Sequence, residues 1–142
     1  MPASERRLRI VEDGETAAAR PLSGLETLAV AQGAFYVATG VWPFVSMRSF
    51  ETVTGPKTER WLVKTVGGLI GVIGGVLASA GARRRVTPGM VMLGAGSAAV
   101  LAGIDVWYAS KRRISPIYLL DAAAEIGIAA GWALAAREEK KS

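Results

Sequence analysis

The apolar residues of this chain are gathered in four long stretches separated by short polar segments. These stretches cover residues 25 to about 45, 60 to 81, 88 to 110 and 116 to 136. A helix of about 20 residues, at about 1.5 Å per residue, matches a hydrocarbon core of about 30 Å. A soluble bundle would need a polar stripe on every helix, whereas residues 67 to 82 contain no charged side chain. We therefore predict an all-α integral membrane protein, an up-and-down bundle of four transmembrane helices.

Helix-start signals stand in front of these stretches. Ser23 is followed by Glu26 three positions later, which is the pattern of a capping box. Thr58 is a candidate N-cap for the second helix. The pairs Thr87-Pro88 and Ser115-Pro116 repeat one signal, because proline is favoured at the first helical position. We expect the third and fourth helices to begin at these prolines.

The polar residues divide the chain into three parts. Residues 1–24 are predicted to form a polar N-terminal tail, residues 25–136 the four-helix transmembrane domain, and residues 137–142 a charged C-terminal tail. A cleaved signal peptide fits less well, because the polar leader is long and no clear small-x-small site follows the first apolar stretch.

The net charge of +5 and the pI near 10.0 raise the question of a nucleic-acid partner. Such binding needs basic residues gathered on one water-facing surface, whereas here they flank the apolar stretches. Lys and Arg residues next to membrane spans typically contact the anionic headgroups of lipids. We therefore predict that the partner is a lipid bilayer, and that the protein binds no nucleic acid. Ten basic residues lie on the side of the two termini and six on the other side, which favours cytoplasmic termini. The six are Arg48, Lys57, Arg60, Lys111, Arg112 and Arg113.

Several kinds of chemistry are absent from the sequence. The chain contains neither cysteine nor histidine, which removes disulfides, thiol chemistry and ordinary zinc sites. The fragment GPKT at residues 55–58 lacks the spaced glycine and the Gly-Lys pair of a phosphate-binding loop. We therefore predict no metal, no cofactor and no catalytic residues of a known motif.

Charged residues inside the apolar stretches are the candidate functional site. Lys64, Asp105 and Asp121 are expected at similar depth on one side of the membrane, and Glu125 lies one turn deeper on the face of Asp121. A central carboxylate costs about 2.5 to 3.5 kcal/mol on insertion, so the fourth helix needs polar partners. The partners that the other positions offer are Gln32, Tyr36, Tyr108 and Tyr118.

Two interpretations of this polar cluster stay open. In the structural one, Lys64 pairs with one acid while a protonated Glu125 donates a hydrogen bond across the helices. In the functional one, the acids form a proton or cation site or line a polar pocket, since ionisable groups inside a membrane usually serve function. The connection at residues 49–60, with its Gly55-Pro56 turn, could cover the cluster like a lid.

Small residues recur at helical spacing and predict the helix-packing faces. Helices in lipid associate through small residues that allow the backbones to approach closely. The second helix offers Gly67, Gly71 and Gly75 at four-residue spacing, and the fourth offers Gly127 and Gly131. Packing within the bundle and a homodimer face are both compatible with this pattern.

Two strings of the sequence resemble a known family. MRSFETVTGPKTERWLVKTVG at residues 47–67 and ISPIYLLDAAAE at residues 114–125 resemble a family of small uncharacterised bacterial membrane proteins with four spans. The general layout of residues 25–136 is also similar to DoxX-like four-helix membrane proteins. This resemblance implies a bacterial inner-membrane location and a four-span architecture, and it brings no activity, cofactor or site residue with it.

Three classes of function fit the sequence. The first is a non-enzymatic accessory, assembly or binding subunit of a membrane complex, because the polar segments are too short for a catalytic domain. The second is a small transporter or channel component that uses the intramembrane carboxylates as a proton or cation site. The third is a pocket for a lipophilic molecule, with Asp121 or Glu125 as general acid if the protein is an enzyme.

Overall fold

A computed structural model describes residues 2–7 and 21–141 of the chain. After a helical segment at residues 3–7, the described chain forms five helices. They are α1 (Gly24–Val45), α2 (Met47–Thr54), α3 (Arg60–Ala82), α4 (Pro88–Ser110) and α5 (Ile117–Lys141). The helices α1, α3, α4 and α5 are each long and apolar enough to cross a membrane. The predicted fold class, a transmembrane four-helix bundle, is confirmed.

The structure bears differently on the two polar tails predicted at the ends of the chain. Helix α5 continues to Lys141, so the charged segment predicted as a C-terminal tail extends the last helix instead. Most of the predicted N-terminal tail, residues 8–20, lies outside the described residues.

Of the four helix-start signals in the sequence, Ser23 and Thr87 form the expected side-chain caps. At the fourth, the Ser115 hydroxyl accepts from the Ile117 N–H at 3.4 Å, and α5 begins at Ile117, one residue after Pro116. The Ser23 hydroxyl accepts from the Glu26 N–H, and the Glu26 carboxylate accepts from the Ser23 N–H. Thr87 caps α4 at the Met90 N–H, with Pro88 in the first turn. Thr58 does not cap α3, because that helix begins at Arg60 and Glu59 occupies the capping position. The Glu59 carboxylate instead accepts from the Trp61 indole N–H at 2.7 Å.

The four long helices pack as two pairs. α1 packs closely along α3, and α4 packs along α5. The pairs meet mainly through α1, which touches both α4 and α5. α3 touches α4 only slightly. α3 and α5, whose residues are all described, do not touch each other. α1 is therefore the central helix, and α3 is supported on one side only.

Glycine allows α1 and α3 to approach backbone to backbone. A Cβ atom added at Gly74 would lie 2.6 Å from the Gly33 carbonyl oxygen, and one added at Gly40 would lie 2.4 Å from that of Gly67. A third contact places Gly81 against the backbone and side chain of Val30. On α3 the positions Gly67, Gly74 and Gly81 recur every seven residues, and on α1 Gly33 and Gly40 have the same spacing. Seven residues make about two turns, which keeps one seam facing the partner.

The four-residue face expected for the second helix is present in part. Gly67 lies in the seam and the Gly71 backbone also lies against Gly40, but Cβ atoms added at Gly71 or Gly75 would meet nothing within 4 Å. The reason is the drift of an α-helix, which turns residues four apart by about 40° relative to each other. In α5, Gly127 also faces open space, while Gly131 packs against the Leu28 side chain of α1.

The turns that end α3 and α4 have the same construction. Arg84 and Arg112 both adopt left-handed backbone conformations, with φ of 55° and 56°. The next N–H in each turn, that of Arg85 or Arg113, donates back to a carbonyl of the preceding helix. This closure satisfies terminal carbonyls that would otherwise be left without a donor at the membrane surface.

The neighbouring glycines 74 and 75 provide a matched test of the seam. We expect Gly74→Ala to lower the free energy of unfolding by about 1 to 3 kcal/mol, because the added methyl overlaps the α1 backbone. Gly75→Ala should leave it unchanged or raise it by up to about 1 kcal/mol, since alanine favours a helix. Unfolding by SDS titration in mixed micelles measures both. Equal effects of the two substitutions would contradict the seam.

Candidate functional site

Three helices meet at a buried hydrogen-bonded junction formed by Gln32, Gly94 and Trp132. The Gln32 side-chain amide donates to the Gly94 carbonyl oxygen at 2.9 Å. The Trp132 indole N–H donates to the Gln32 side-chain oxygen at 2.6 Å. A Cβ atom added at Gly94 would lie 2.6 Å from the Trp132 ring, so the glycine provides the space for the indole. This junction ties α1 to both α4 and α5.

A second buried contact joins Tyr36 of α1 to Glu125 of α5. The Tyr36 hydroxyl donates to Glu125 Oε2 at 2.7 Å. The Tyr36 side chain is 1% exposed and Glu125 is 0% exposed, so water is excluded from the bond. The other carboxyl oxygen, Oε1, has no hydrogen-bond partner among the described residues.

Asp105 and Asp121 form the third part of the site, between α4 and α5. Their carboxyl groups lie close enough to interact electrostatically. Asp105 is buried and its Oδ2 atom has no partner among the described residues, whereas Asp121 is half-buried. Glu125 lies one turn further along α5 and interacts electrostatically with both aspartates. The structure thus brings together the three acids that the sequence singled out, with Gln32 and Tyr36 beside Glu125.

Lys64 lies outside this cluster, contrary to the expectation from the sequence. Its side chain is exposed on α3, and it makes no ion pair with any described residue. The physical reason is the helix arrangement, because α3 packs on α1 and does not come into contact with α5. The interpretation in which Lys64 neutralises one of the acids is therefore wrong.

The two other tyrosines also lie away from the buried acids. Tyr108 is 45% exposed on the outer surface of α4. Tyr118 is half-buried near the start of α5, where the Lys57 ammonium lies 5.0 Å from its ring centroid. Lys57 belongs to the connection between α2 and α3, so this contact holds that connection over the start of α5.

The connection expected as a lid is an ordered structure with its own short helix. Glu51 of α2 accepts two hydrogen bonds from the Arg60 guanidinium, at 3.0 and 3.1 Å, and one from the Lys57 N–H at 3.3 Å. Gly55 ends α2 with a φ of 96°, a conformation that suits glycine. A groove lies between this connection and the turn that contains Arg113.

The chemistry of the cluster is that of hydrogen bonding in a dry interior. Within the described ranges, the acidic residues do not form a group of three that could hold a metal ion. Trp132 was not among the site residues expected from the sequence, although it lies seven positions after Glu125 and so shares its helix face. The sequence does not indicate that Gly94 makes room for the Trp132 indole, because that indole belongs to another helix.

Tyrosine substitutions test whether the buried hydroxyl stabilises the bundle. We expect Tyr36→Phe to lower the free energy of unfolding by about 1 kcal/mol, because it leaves both carboxyl oxygens of Glu125 without a donor. Tyr108→Phe is the matched control and should change it by less than about 0.5 kcal/mol. SDS unfolding followed by circular dichroism measures both variants. A Tyr36→Phe protein as stable as the control would show that the hydrogen bond contributes nothing.

Comparison of the chain with family models, with curated proteins and with solved structures finds no match. The resemblance seen in residues 47–67 and 114–125 therefore stays an expectation. Function has to be argued from the geometry of the bundle itself.

Proposed function

We propose that this protein is a non-enzymatic accessory, assembly or binding subunit of a membrane complex. We further propose a bacterial inner-membrane location with both termini in the cytoplasm, where the excess of basic residues favours them. The buried polar groups mainly join the protein's own helices, which leaves the outer surface as the place where another molecule can bind.

The one-sided packing of α3 carries this proposal. α3 is the most apolar of the four long helices, and only its glycine seam is covered by α1. Leu69 and Val72, on the remaining surface, are more than 60% exposed. Lipid can solvate such apolar side chains, so their exposure alone does not indicate a partner. The charged residue Lys64, on the same helix, does indicate a partner.

Lys64 is the charged residue on this open surface. Ionisable side chains within a membrane span usually face protein, yet Lys64 faces outward. Gly68 and Gly71 lie four and seven positions further along the same face, and Cβ space at Gly71 is open. A partner helix could approach closely at these glycines and place a carboxylate near Lys64. A helix of another protein and a helix of a second copy of this chain both satisfy the proposal.

Matched glycine substitutions test this partner surface. We expect the protein to co-purify from its native membrane in a complex of fixed stoichiometry, and Gly71→Leu to reduce the recovered complex at least tenfold. Gly103→Leu on α4 also adds a side chain into open space and should leave recovery unchanged. Cross-linking followed by mass spectrometry measures both. A monomer with no partner, or equal losses in the two variants, would contradict the proposal.

A second candidate function rests on the two carboxyl oxygens without partners. Asp105 Oδ2 and Glu125 Oε1 are buried, lie in the membrane-spanning part and accept no hydrogen bond from a described residue. Such groups can bind and release a proton, so a transporter or channel component is the alternative. Two grooves at the helix ends are not lined by these acids, so neither supports an enzyme that uses Asp121 or Glu125 on a lipophilic substrate.

Proton flux into liposomes tests the second candidate. If the protein conducts protons, Glu125→Gln should abolish the flux, because an amide has no acidic proton to exchange. Glu59→Gln, at an exposed position outside the cluster, is the control and should retain it. Flux that is absent from the wild-type protein, or unchanged in Glu125→Gln, would rule this function out.

A further inference from the structure

A groove of about 510 Å³ lies between α3 and α4, next to the turn that joins them. The two helices have little contact with each other. Val72, Val76 and Met90 form the apolar part of the groove, and Gly75 keeps it open because no side chain fills the space. Arg83 and Arg85 line its end at the turn, where the chain leaves the membrane-spanning helices.

The three consecutive arginines of the turn have different roles. Arg84 is half-buried, with its guanidinium 3.7 Å from the Glu26 carboxylate and 3.3 Å from the Pro21 carbonyl oxygen. Arg83 and Arg85 are exposed and form no ion pair with a described residue. None of the described residues that line the groove is acidic. Among the described residues, Arg83 and Arg85 therefore have no counter-charge at the end of the apolar groove.

The molecule that complements this surface has an apolar chain and a negatively charged head. Arginine binds phosphate through parallel N–H donors, and basic pockets between transmembrane helices favour anionic headgroups. A zwitterionic lipid fits less well, because its ammonium group would meet no carboxylate in the groove. We propose that the groove binds an anionic glycerophospholipid, with one acyl chain along Val72 and Val76 and the phosphate between Arg83 and Arg85.

This inference goes beyond the proposed function. The lipid site extends from Val72 to the turn at Arg83, whereas the proposed partner surface runs from Lys64 to Gly71. Each can therefore fail while the other stands, and their tests use different variants.

Native mass spectrometry of the full chain in detergent tests the site. The protein is titrated with phosphatidylglycerol and with phosphatidylcholine of identical acyl chains, and dissociation constants are obtained for the first bound lipid. An arginine near an anionic headgroup strengthens binding about fivefold, so two arginines predict a preference of roughly 25-fold for phosphatidylglycerol. The double substitution Arg83→Gln/Arg85→Gln should remove this preference.

Two further variants separate the groove from general charge effects. Arg137→Gln/Lys140→Gln removes the same charge from exposed positions on the same side of the membrane and should preserve the preference. Val76→Trp should fill the apolar part of the groove and weaken binding of both lipids at least fivefold, with the helix content unchanged by circular dichroism. Equal affinity for the two lipids, equal losses in the two double variants, or unchanged binding in Val76→Trp would overturn the proposal. So would a lipid-free dimer that Val76→Trp dissociates, because a second copy would then occupy the groove.

Discussion

Helix α1 holds the bundle together because it makes two different kinds of contact. Toward α3 it presents glycines, and the two backbones meet directly. Toward α4 and α5 it presents Gln32 and Tyr36, whose side chains form hydrogen bonds in the buried interior. In lipid the hydrophobic effect contributes little to helix association, so close packing and hydrogen bonds between helices have to drive it. Without α1, the described contacts between the α4–α5 pair and α3 would be slight.

The acidic residues of α5 are explained by the same constraint. A helix that carries Asp121 and Glu125 inserts poorly alone, because each carboxyl group is costly in the hydrocarbon interior. The Tyr36 hydroxyl donates a hydrogen bond to Glu125, and Asp105 lies close enough to Asp121 to interact with it electrostatically. The arrangement is incomplete, since one oxygen of Asp105 and one of Glu125 accept no hydrogen bond from a described residue.

The sequence predicted the spans well because each is defined by its own residues. Helix length, the Ser23 cap and the Thr87-Pro88 start depend on local chemistry, and the structure shows all three. The position of Lys64 could not be derived this way, because it depends on which helix lies beside α3. The glycine seam has the same limit, since a four-residue and a seven-residue repeat through Gly67 are both present in the sequence, and the partner helix selects between them.

The central claim is that buried side-chain hydrogen bonds from α1 stabilise the bundle in lipid. A double-mutant cycle on Gln32 and Trp132 tests it most directly, with Gln32→Leu, Trp132→Phe and the double variant unfolded by SDS. The account predicts a coupling energy of about 0.6 to 1.7 kcal/mol, the range of such bonds in membrane proteins. Strictly additive effects of the two substitutions would show that this bond does not hold α1 to α5, and would contradict the account.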